Sequence, residues 1–355
     1  MKKIILAILY GGRSAEHEVS VVSARSMMAA VDPTRYDIVP IAITKQGRWL
    51  LPAISPAQLT APEGSLPAAT DEGEPVTLQP GSRTLDVDVI FPLLHGPFGE
   101  DGTVQGLLEL AGIPYVGSGV LASAVGMDKE IQKRVFASHG LPLVAWTHVH
   151  ASEWARDAER EVGRVADAIG LPCFTKPANL GSSIGVARCT SVDALRSGID
   201  DALRLDTKAI VEQAMTGREL ECAVLGNDEP EASVVGEIIP HHEFYDYAAK
   251  YLEQGSDLVV PAKIPDGVSE QIRRLALKAF SAIDARGLAR VDFFWDQVAD
   301  ELYVNEINTI PGFTPISMYP RLWEASGVPY AKLIDRLIEL ALERHTAKKA
   351  TRFTR

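Results

Sequence analysis

The sequence predicts a mixed α/β and α+β protein that is divided into three domains. Its 355 residues are enough for two or three domains, each with its own core. Strand and helix patterns alternate over residues 1–117, which predicts a parallel sheet with helices on both faces. After Gly117-Ser118-Gly119 the order of elements changes. The remaining chain predicts two α+β units, over residues 118–211 and 212–355.

The composition excludes several classes of protein. Hydrophobic residues make up 46% and charged residues 23%, which excludes wholesale disorder. The net charge of -12 disfavours a sequence-independent nucleic-acid binder, which needs basic surface. Apolar runs are strand-sized, so no membrane partner is expected. Three widely spaced cysteines without a CxxC pair are typical of a reducing compartment, and we expect a cytoplasmic location.

The elements of the first domain follow from its apolar runs and turn residues. Strands are predicted, in chain order, over residues 4–10, 37–43, 86–94 and 113–116. The first of these follows two lysines, like a short signal peptide, but no small-residue cleavage site follows and a buried strand is favoured. Ser14 is predicted to cap a helix over 15–30, and a second helix covers 102–111. Six prolines between residues 52 and 84 predict a loop that crosses the surface.

The other two units have a different order. The central one is predicted as a helix, a strand, a helix, and then two strands joined by a Gly/Ser loop, over residues 127–139, 142–150, 152–169 and 171–189. The last unit is predicted to contain strands near 219–225, 232–238, 290–295 and 301–307 and helices over 268–285 and 330–344. The ten terminal residues are basic and without periodicity, which predicts a frayed tail.

Two glycine-rich segments follow strands of the first domain. His95 and Glu100 lie in LHGPFGEDG, where open α/β sheets bind ligands. The alternative there is a turn with a solvated histidine. In GGRSAEHEVS the glycines allow a ligand to approach the backbone, and Glu16 is placed to hold an ammonium group. The alternative is that Glu16 only complements the dipole of the helix.

A third glycine-rich segment, TKPANLGSSIGV, combines a lysine with serines. Lys176 ends a predicted strand, and Ser182 and Ser183 lie in the loop after it. Converging N–H dipoles and one full positive charge suit a polyphosphate, although a plain hairpin loop is the alternative. No GxGxxG follows the first strand and no GxxxxGK[ST] occurs, so dehydrogenase and P-loop functions are disfavoured.

Oxygen ligands are concentrated near the carboxyl end of the chain. Glu306 and Asn308 are two residues apart and therefore share one face of a predicted strand, while Asp292 lies on the neighbouring strand. This set suits Mg²⁺, and Arg290 beside it would stabilise charge that develops on a phosphate. A solvated strand face is the alternative.

Aromatic residues cluster in HHEFYDYAAKYLEQGSD, residues 241–257. This segment is predicted to be either a lid that excludes water or an amphipathic surface helix. Neither His241 with His242 nor His148 with His150 has an obvious third ligand, so no metal site is expected at these histidines.

These segments, in this order, closely resemble the D-alanine–D-alanine ligases of the ATP-grasp superfamily. They extend from residue 11 to residue 320 and comprise GGRSAEHEVS, LHGPFGEDGTVQG, GMDKEIQK, TKPANLGSSIGV, VEQAMTGRELECAV, FYDYAAKY, ARVDFFW and NEINTIPGFTPISMYP. The resemblance implies ATP-grasp architecture with three domains and ATP between the central and carboxyl-terminal ones.

The resemblance also implies roles for individual residues of the nucleotide and metal sites. Lys129 and Lys176 resemble the lysines that contact ATP phosphates, and Ser183 resembles part of the γ-phosphate cover. Glu212, with Met215 nearby, resembles the adenine-hinge residue, and Glu219 the ribose-hydroxyl acceptor. The remaining matches are to the magnesium ligands Asp292, Glu306 and Asn308 and to the phosphate-stabilising cations Arg290 and Lys250.

A second group of matches concerns D-alanine. Glu16 matches the residue that holds the ammonium of the first D-alanine, beside His95. Ser182 and Tyr251 match its partners in a hydrogen-bond network that closes the lid. Gly312 and Ser317 resemble the oxyanion donor and the group that binds the carboxylate of the second D-alanine.

The function implied is ATP-dependent ligation of two D-alanines through an acyl phosphate, for peptidoglycan precursors. ATP and two Mg²⁺ ions, with Mn²⁺ as an alternative, are expected, and so is a homodimer. The alternatives are a D-alanyl-D-lactate ligase, another ATP-grasp carboxylate–amine ligase, or a nucleotide sensor without turnover. Relatives that make D-alanyl-D-lactate depart from the lid tyrosine, so Tyr251 favours the dipeptide.

Overall fold

The computed structural model describes residues 2–62, 65–79, 85–241 and 256–351. Within these ranges the strands form three sheets, of five, five and four strands. The predicted division into 1–117, 118–211 and 212–355 stays a prediction, and a strand of the smallest sheet, Lys208–Gln213, runs across its second boundary. Within the same ranges, no helix has both the length and the apolar character needed to cross a bilayer.

The amino-terminal sheet has the order β4-β3-β2-β1-β5 and comprises β1 (Ile4–Gly11), β2 (Tyr36–Ile43), β3 (Trp49–Pro52), β4 (Gly73–Pro75) and β5 (Val89–Pro92). The predicted parallel pairing is confirmed for β1, β2 and β5. It is wrong at the other edge, where β3 and β4 are antiparallel. The connection from β2 to β3 is too short for a parallel crossover. The predicted loop over 52–84 thus contributes β4, and the predicted strand over 113–116 makes one bridge, between Ile90 and Tyr115.

Two helices cover this sheet, α1 (His17–Ala30) and α2 (Thr103–Ala111). The predicted Ser14 cap is wrong, because α1 begins at His17 and Glu16 occupies the N-cap position. Ser14 instead accepts a hydrogen bond from the Glu16 backbone N–H at 3.2 Å. Strand β1 is buried on both faces, as its unbroken apolar run predicts. One face packs with α1 and the other with α2, through Leu6, Ile8 and Tyr10 and through Ala7 and Leu9 respectively.

The central unit comprises α3 (Val120–Met127), α4 (Lys129–Ser138), β6 (Trp146–His150), α5 (Ala151–Arg156), α6 (Ala158–Ile169), β7 (Cys173–Pro177), β8 (Ala187–Cys189), α7 (Val192–Leu205) and β9 (Lys208–Gln213). The strands pair antiparallel in the order β6-β9-β7-β8. The predicted helix over 127–139 corresponds to α4, and the predicted helix over 152–169 is interrupted. Asp128 divides α3 from α4 because its carboxylate caps α4, and Asp157 caps α6 in the same way.

The last unit comprises β10 (Arg218–Gly226), β11 (Glu231–Pro240), β12 (Ser256–Val259), α8 (Asp266–Ala282), β13 (Gly287–Asp296), β14 (Glu301–Asn308), α9 (Met318–Ala325) and α10 (Tyr330–Lys349). Its antiparallel sheet has the order β12-β11-β10-β13-β14. The predicted frayed tail is wrong for residues 346–349, which continue α10. Thr346 bonds to the Leu342 carbonyl at 2.8 Å, and Lys348 pairs with Glu109 at 2.6 Å.

Helix α10 returns the end of the chain to the amino-terminal sheet. Leu333 and Leu337 share a core with Tyr10 and Phe91. The Tyr36 hydroxyl donates to Asp335 at 2.9 Å. This packing brings the connection between β14 and α9 next to the ends of the parallel strands.

Candidate active site

Glu16 lies where three loops meet. It follows β1, and its side chain is nearly buried, with 7% of the residue exposed. A Cβ atom at Gly96, after β5, would lie 3.1 Å from Glu16 Oε2, and one at Gly181, after β7, would lie 3.4 Å away. The Ser182 hydroxyl donates a hydrogen bond to Glu16 Oε1. Two glycines and one serine, from separate domains of the sequence prediction, therefore enclose this carboxylate.

The loop that carries Ser182 has an uncommon backbone. Ser182 and Ser183 have φ angles of 50° and 58°, in the left-handed region that side chains disfavour. Turn hydrogen bonds hold them there, from Ile184 N to Gly181 O at 3.1 Å and from Val186 N to Ser183 O at 3.3 Å. Such strained conformations cluster at ligand-binding sites. The predicted anion cradle is thus a constrained turn within the connection between the antiparallel strands β7 and β8.

His95 is buried beside the same corner, with 4% of the residue exposed. Its Nδ1 lies 3.1 Å from the Ile310 carbonyl, which only accepts hydrogen bonds, so Nδ1 carries the proton. Burial lowers the pKa of His95, although the charge of Glu16 opposes this shift. Nε2 is therefore an acceptor, and it has no hydrogen-bond partner among the described residues.

Glu100 completes this corner. It accepts hydrogen bonds from the backbone N–H groups of Gly96 at 2.7 Å and Ile310 at 3.3 Å. Burial, together with the neighbouring charge of Glu16, raises the pKa of Glu100 to about 8. A carboxyl next to a second carboxylate in a dry site favours its neutral form.

The two predicted phosphate lysines are each paired with a carboxylate. Lys129 Nζ donates to the Leu180 carbonyl at 2.8 Å and lies 3.3 Å from Glu306 Oε2. Lys176 Nζ donates to Glu212 Oε2 at 2.7 Å. Sequence reasoning missed Lys133, whose Nζ lies 3.1 Å from Glu212 Oε1. Its spacing of four from Lys129 on a helix was the available signal.

Among the predicted adenosine residues, Glu212 lies between Lys133 and Lys176. Burial would raise the pKa of Glu212, but Lys133 and Lys176 lower it to about 2. Burial lowers the pKa of Lys176, but neighbouring carboxylates outweigh this effect and raise it above its ordinary value. These carboxylates belong to Glu212, Glu306 and Glu219. Met215 is half-buried in the connection from β9 to β10, and Glu219 is half-buried at the start of β10.

The predicted metal ligands occupy one face of the β13–β14 pair. Asp292 is directly opposite Glu306, and Arg290 is directly opposite Asn308. Arg290 Nε and Nη2 donate to the two oxygens of Asp292, each at 2.7 Å, and Asn308 Nδ2 donates to Asp292 at 3.0 Å. Sequence reasoning missed Glu221 on β10, opposite Asp292, whose Oε1 lies 3.1 Å from Arg290 Nε. Burial opposes the charge of Arg290, but Asp292 and Glu221 raise its pKa.

This donor set fits Mg²⁺ because its oxygens are hard and lie on neighbouring strands. Arg290 and Lys129 compensate the carboxylates of Asp292 and Glu306. In the described ranges, no group of three or more His, Cys, Asp or Glu side chains is placed to hold a metal. The candidate set has two carboxylates and one amide. His148 and His150 stack edge to face on β6, with ring centroids 5.1 Å apart.

Gly312 and Ser317 lie together in the connection between β14 and α9. A Cβ atom on Gly312 would be 3.2 Å from Ser317 Oγ. Ser317 Oγ also accepts a hydrogen bond from Thr314 N at 3.2 Å. Phe313 anchors the segment against β5, with its ring centroid 5.3 Å from that of Phe91. The predicted lid residues Lys250 and Tyr251, and His242, lie outside the described residues.

Comparisons with known proteins identify the family of the chain. A family model described as D-ala D-ala ligase N-terminus matches residues 5–118, and one described as D-ala D-ala ligase C-terminus matches residues 135–339. The D-alanine–D-alanine ligase of Geobacillus thermodenitrificans is 47% identical, over 99% of each chain.

Two solved structures share the fold. The D-alanine–D-alanine ligase from Coxiella burnetii has a TM-score of 0.81 and 36% identity and covers 98% of this chain and 97% of its own. The VanG D-Ala:D-Ser ligase from Enterococcus faecalis has a TM-score of 0.82 and 32% identity, with coverages of 96% and 100%. The chain therefore belongs to the D-alanine–D-alanine ligase family, whose members are ATP-dependent ligases with ATP-grasp architecture.

Proposed function

We propose that the protein joins two D-alanines into D-alanyl-D-alanine, with ATP converted to ADP and phosphate. The observation that carries this proposal is the hydrogen bond from Ser182 to Glu16. It joins a carboxylate suited to an ammonium group to a loop suited to a polyphosphate. A substrate with an ammonium and a carboxylate, held at Glu16, would direct its carboxylate towards that polyphosphate.

Each end of the site has groups that match one substrate. Glu16 holds the ammonium of the first D-alanine, and the Nε2 acceptor of His95 lies beside it. The Ser317 hydroxyl binds the carboxylate of the second D-alanine, beside the oxyanion donor Gly312. The nucleotide is bound by the remaining group, in which Lys129, Lys176 and Ser183 contact phosphates and Glu212, Met215 and Glu219 contact adenosine.

Asp292, Glu306 and Asn308 would hold two Mg²⁺ ions, with Mn²⁺ as an alternative. When bound, these ions would neutralise phosphate charge and orient the triphosphate. Arg290 is held by Asp292 and Glu221 on the same face. Its guanidinium, with Lys176 and the lid residue Lys250, stabilises the charge that develops on the transferred phosphoryl group.

The reaction proceeds in two steps. The carboxylate of the first D-alanine attacks the γ-phosphate, and the phosphorus–oxygen bond to ADP breaks, which gives an acyl phosphate. The free amine of the second D-alanine then attacks the acyl carbon, the amide bond forms, the amine loses a proton and phosphate leaves. Gly312 donates to the tetrahedral oxyanion. Holding both amino acids side by side provides the proximity that this reaction needs.

One assay tests the proposal. Purified protein is incubated with Mg²⁺, ATP and D-alanine, and both phosphate and dipeptide are measured. We expect the two products in a 1:1 ratio, and phosphate release that depends on D-alanine. Phosphate at background level, with protein that remains folded, would reject the ligase and favour a sensor without turnover.

The second amino acid differs among the relatives, since one of the two solved structures is a D-Ala:D-Ser ligase. We propose D-alanine, because FYDYAAKY with Tyr251 favours the dipeptide. D-lactate and D-serine, each offered with D-alanine, test this choice. A depsipeptide or a D-alanyl-D-serine product formed faster than D-alanyl-D-alanine would overturn it.

We further propose that the protein acts in the cytoplasm as a homodimer in peptidoglycan precursor synthesis. The three buried free cysteines support a reducing location. Sedimentation of the purified protein tests the dimer, and a monomer at micromolar concentration would reject it.

A further inference from the structure

Lys133 is a buried lysine that no part of the proposed reaction uses. It lies on α4 one turn after Lys129, so the two side chains share one helix face. Only 1% of Lys133 is exposed. Its Nζ lies 3.1 Å from Glu212 Oε1 and donates to the Asn305 carbonyl at 3.3 Å. Lys133 thus connects α4 and β14 to the small sheet that carries Glu212.

Glu212 is shared between two ammonium groups. Lys133 faces Oε1, and Lys176 donates to Oε2 at 2.7 Å. Burial lowers the pKa of Lys133, and the charge of Glu212 opposes that shift. A buried lysine is costly, and an apolar side chain of similar volume would fill this space at lower cost. The Lys133 ammonium at this buried position, beside the Glu212 carboxylate, therefore indicates a role other than packing.

We propose that Lys133 is a positioning residue for the nucleotide, which acts by holding one oxygen of Glu212. With Lys133 in place, the charge of Glu212 is divided between two lysines, and Lys176 remains available to a phosphate. Without it, Glu212 is compensated by Lys176 alone, and Lys176 is withdrawn from the nucleotide. This inference rests on the proposed nucleotide-binding role of Lys176 and Glu212.

The test measures nucleotide binding directly, by calorimetry with Mg²⁺ADP, alongside steady-state kinetics. Lys133→Met, which keeps the volume and removes the charge, is expected to raise the ADP Kd and the ATP KM about tenfold, the effect of one charged contact. The KM for D-alanine is expected to stay within about twofold, because Lys133 acts through Glu212. Arg134→Met is the control, since Arg134 is exposed on the same helix and pairs with Glu130.

A double variant separates positioning from folding. In Lys133→Met/Glu212→Gln no buried carboxylate is left uncompensated, so this chain should fold even where Lys133→Met does not. We expect its ADP Kd to match that of Glu212→Gln alone within about threefold, because the effect of Lys133 passes through Glu212.

Three outcomes decide the question. A tenfold difference between the double variant and Glu212→Gln would overturn the proposal, and so would a folded Lys133→Met that binds ADP as the wild type does. An equal rise in both KM values would assign Lys133 a general structural role and would also overturn it. Wild-type protein that binds no nucleotide would reject the proposed function itself, which distinguishes the two failures.

Discussion

The two ends of the candidate site differ in how their charged groups are paired. One end comprises the β13–β14 face with Lys129 and Lys176, and the other is the glycine-rich corner, which comprises Glu16, His95 and Glu100. At the β13–β14 face and at Lys129 and Lys176, each charged side chain that is expected to bind a metal or a phosphate already has a partner of opposite charge. The pKa of Glu212 falls to about 2. At the glycine-rich corner, burial raises the pKa of Glu100 to about 8. Among the described residues, no lysine or arginine forms an ion pair with Glu100, and His95 Nε2 has no partner there.

This difference follows from what each end is proposed to bind. ATP with Mg²⁺ brings many charges of both signs, so a site for it is stable only if its own charges are already compensated. D-alanine brings one ammonium group, and a corner rich in carboxyls supplies the complement to it. An ammonium group beside a carboxylate favours the charged form of both groups.

The largest expected effect concerns the β13–β14 face, where the charged side chains are paired. Glu306→Gln removes a proposed metal ligand and the partner of Lys129 while the shape is kept. We expect kcat to fall by roughly 10²–10³-fold, comparable to the loss of one strong electrostatic contact in a transition state. Phosphate release measures this. Glu301→Gln, at the exposed start of the same strand, is the control, and equal activities in the two variants would remove Glu306 from the metal site.

The next effect concerns the glycine-rich corner. Glu16→Gln keeps the hydrogen-bonding shape but removes the negative charge, so kcat/KM for D-alanine should fall roughly 10–100-fold, as for a lost charged hydrogen bond. The KM for ATP should change little. Glu18→Gln on the same helix, where Glu18 pairs with Lys45 at 2.6 Å, serves as control. A rise confined to the KM for ATP would contradict the difference between the two ends.

A smaller effect is expected where the two ends meet. Ser182→Ala removes the hydroxyl that donates to Glu16. Activity should fall about fivefold, since a single hydrogen bond contributes about 1 kcal/mol. Ser138→Ala, on the surface of α4, is the control for loss of a hydroxyl. Unchanged kcat and KM values for both substrates would show that this contact does not couple the two ends.

The smallest effect is on stability and depends on pH. The pKa of Glu100 is raised in the folded state, so the stability that its protonated form contributes is complete below about 4.5 and is lost as the pH rises towards about 8. The Tm of the wild type relative to Glu100→Gln should therefore fall by a few degrees between pH 5 and pH 8 and level off above.

Glu109→Gln provides the contrast for that measurement. Burial opposes ionisation of Glu109, but Lys348 lowers the pKa of Glu109 below its ordinary value. The Tm difference between Glu109→Gln and the wild type should therefore stay constant over the same pH range. A wild-type Tm that rises with pH relative to the Tm of Glu100→Gln would contradict the raised pKa.

Sequence patterns within one or two neighbouring elements were sufficient to predict much of the fold. The apolar run of β1 predicted a strand buried on both faces, and the spacing of Glu306 and Asn308 predicted their common face. Such predictions succeed because strand and helix periodicities are local properties of the chain. The family resemblance added the site residues that no single segment identifies.

Local patterns failed where a distant partner decided the structure. Strands β3 and β4 are short and each contains a proline, and they form because β2 offers an edge to β3, which in turn pairs with β4. Asp157 caps α6 and interrupts a helix that periodicity alone predicts as continuous over 152–169. The sequence patterns do not single out Lys133 or Glu221, because burial is a property of the packed chain.

The amino-acid order by itself therefore established the α/β and α+β class, most elements and the types of group available for catalysis. Which carboxylate faces which lysine was left to the folded chain, since the residues concerned are 36 to 177 positions apart, as for Lys176 with Glu212 and Lys129 with Glu306. Charge compensation depends on distance and burial, and both are fixed only when separate sheets pack together.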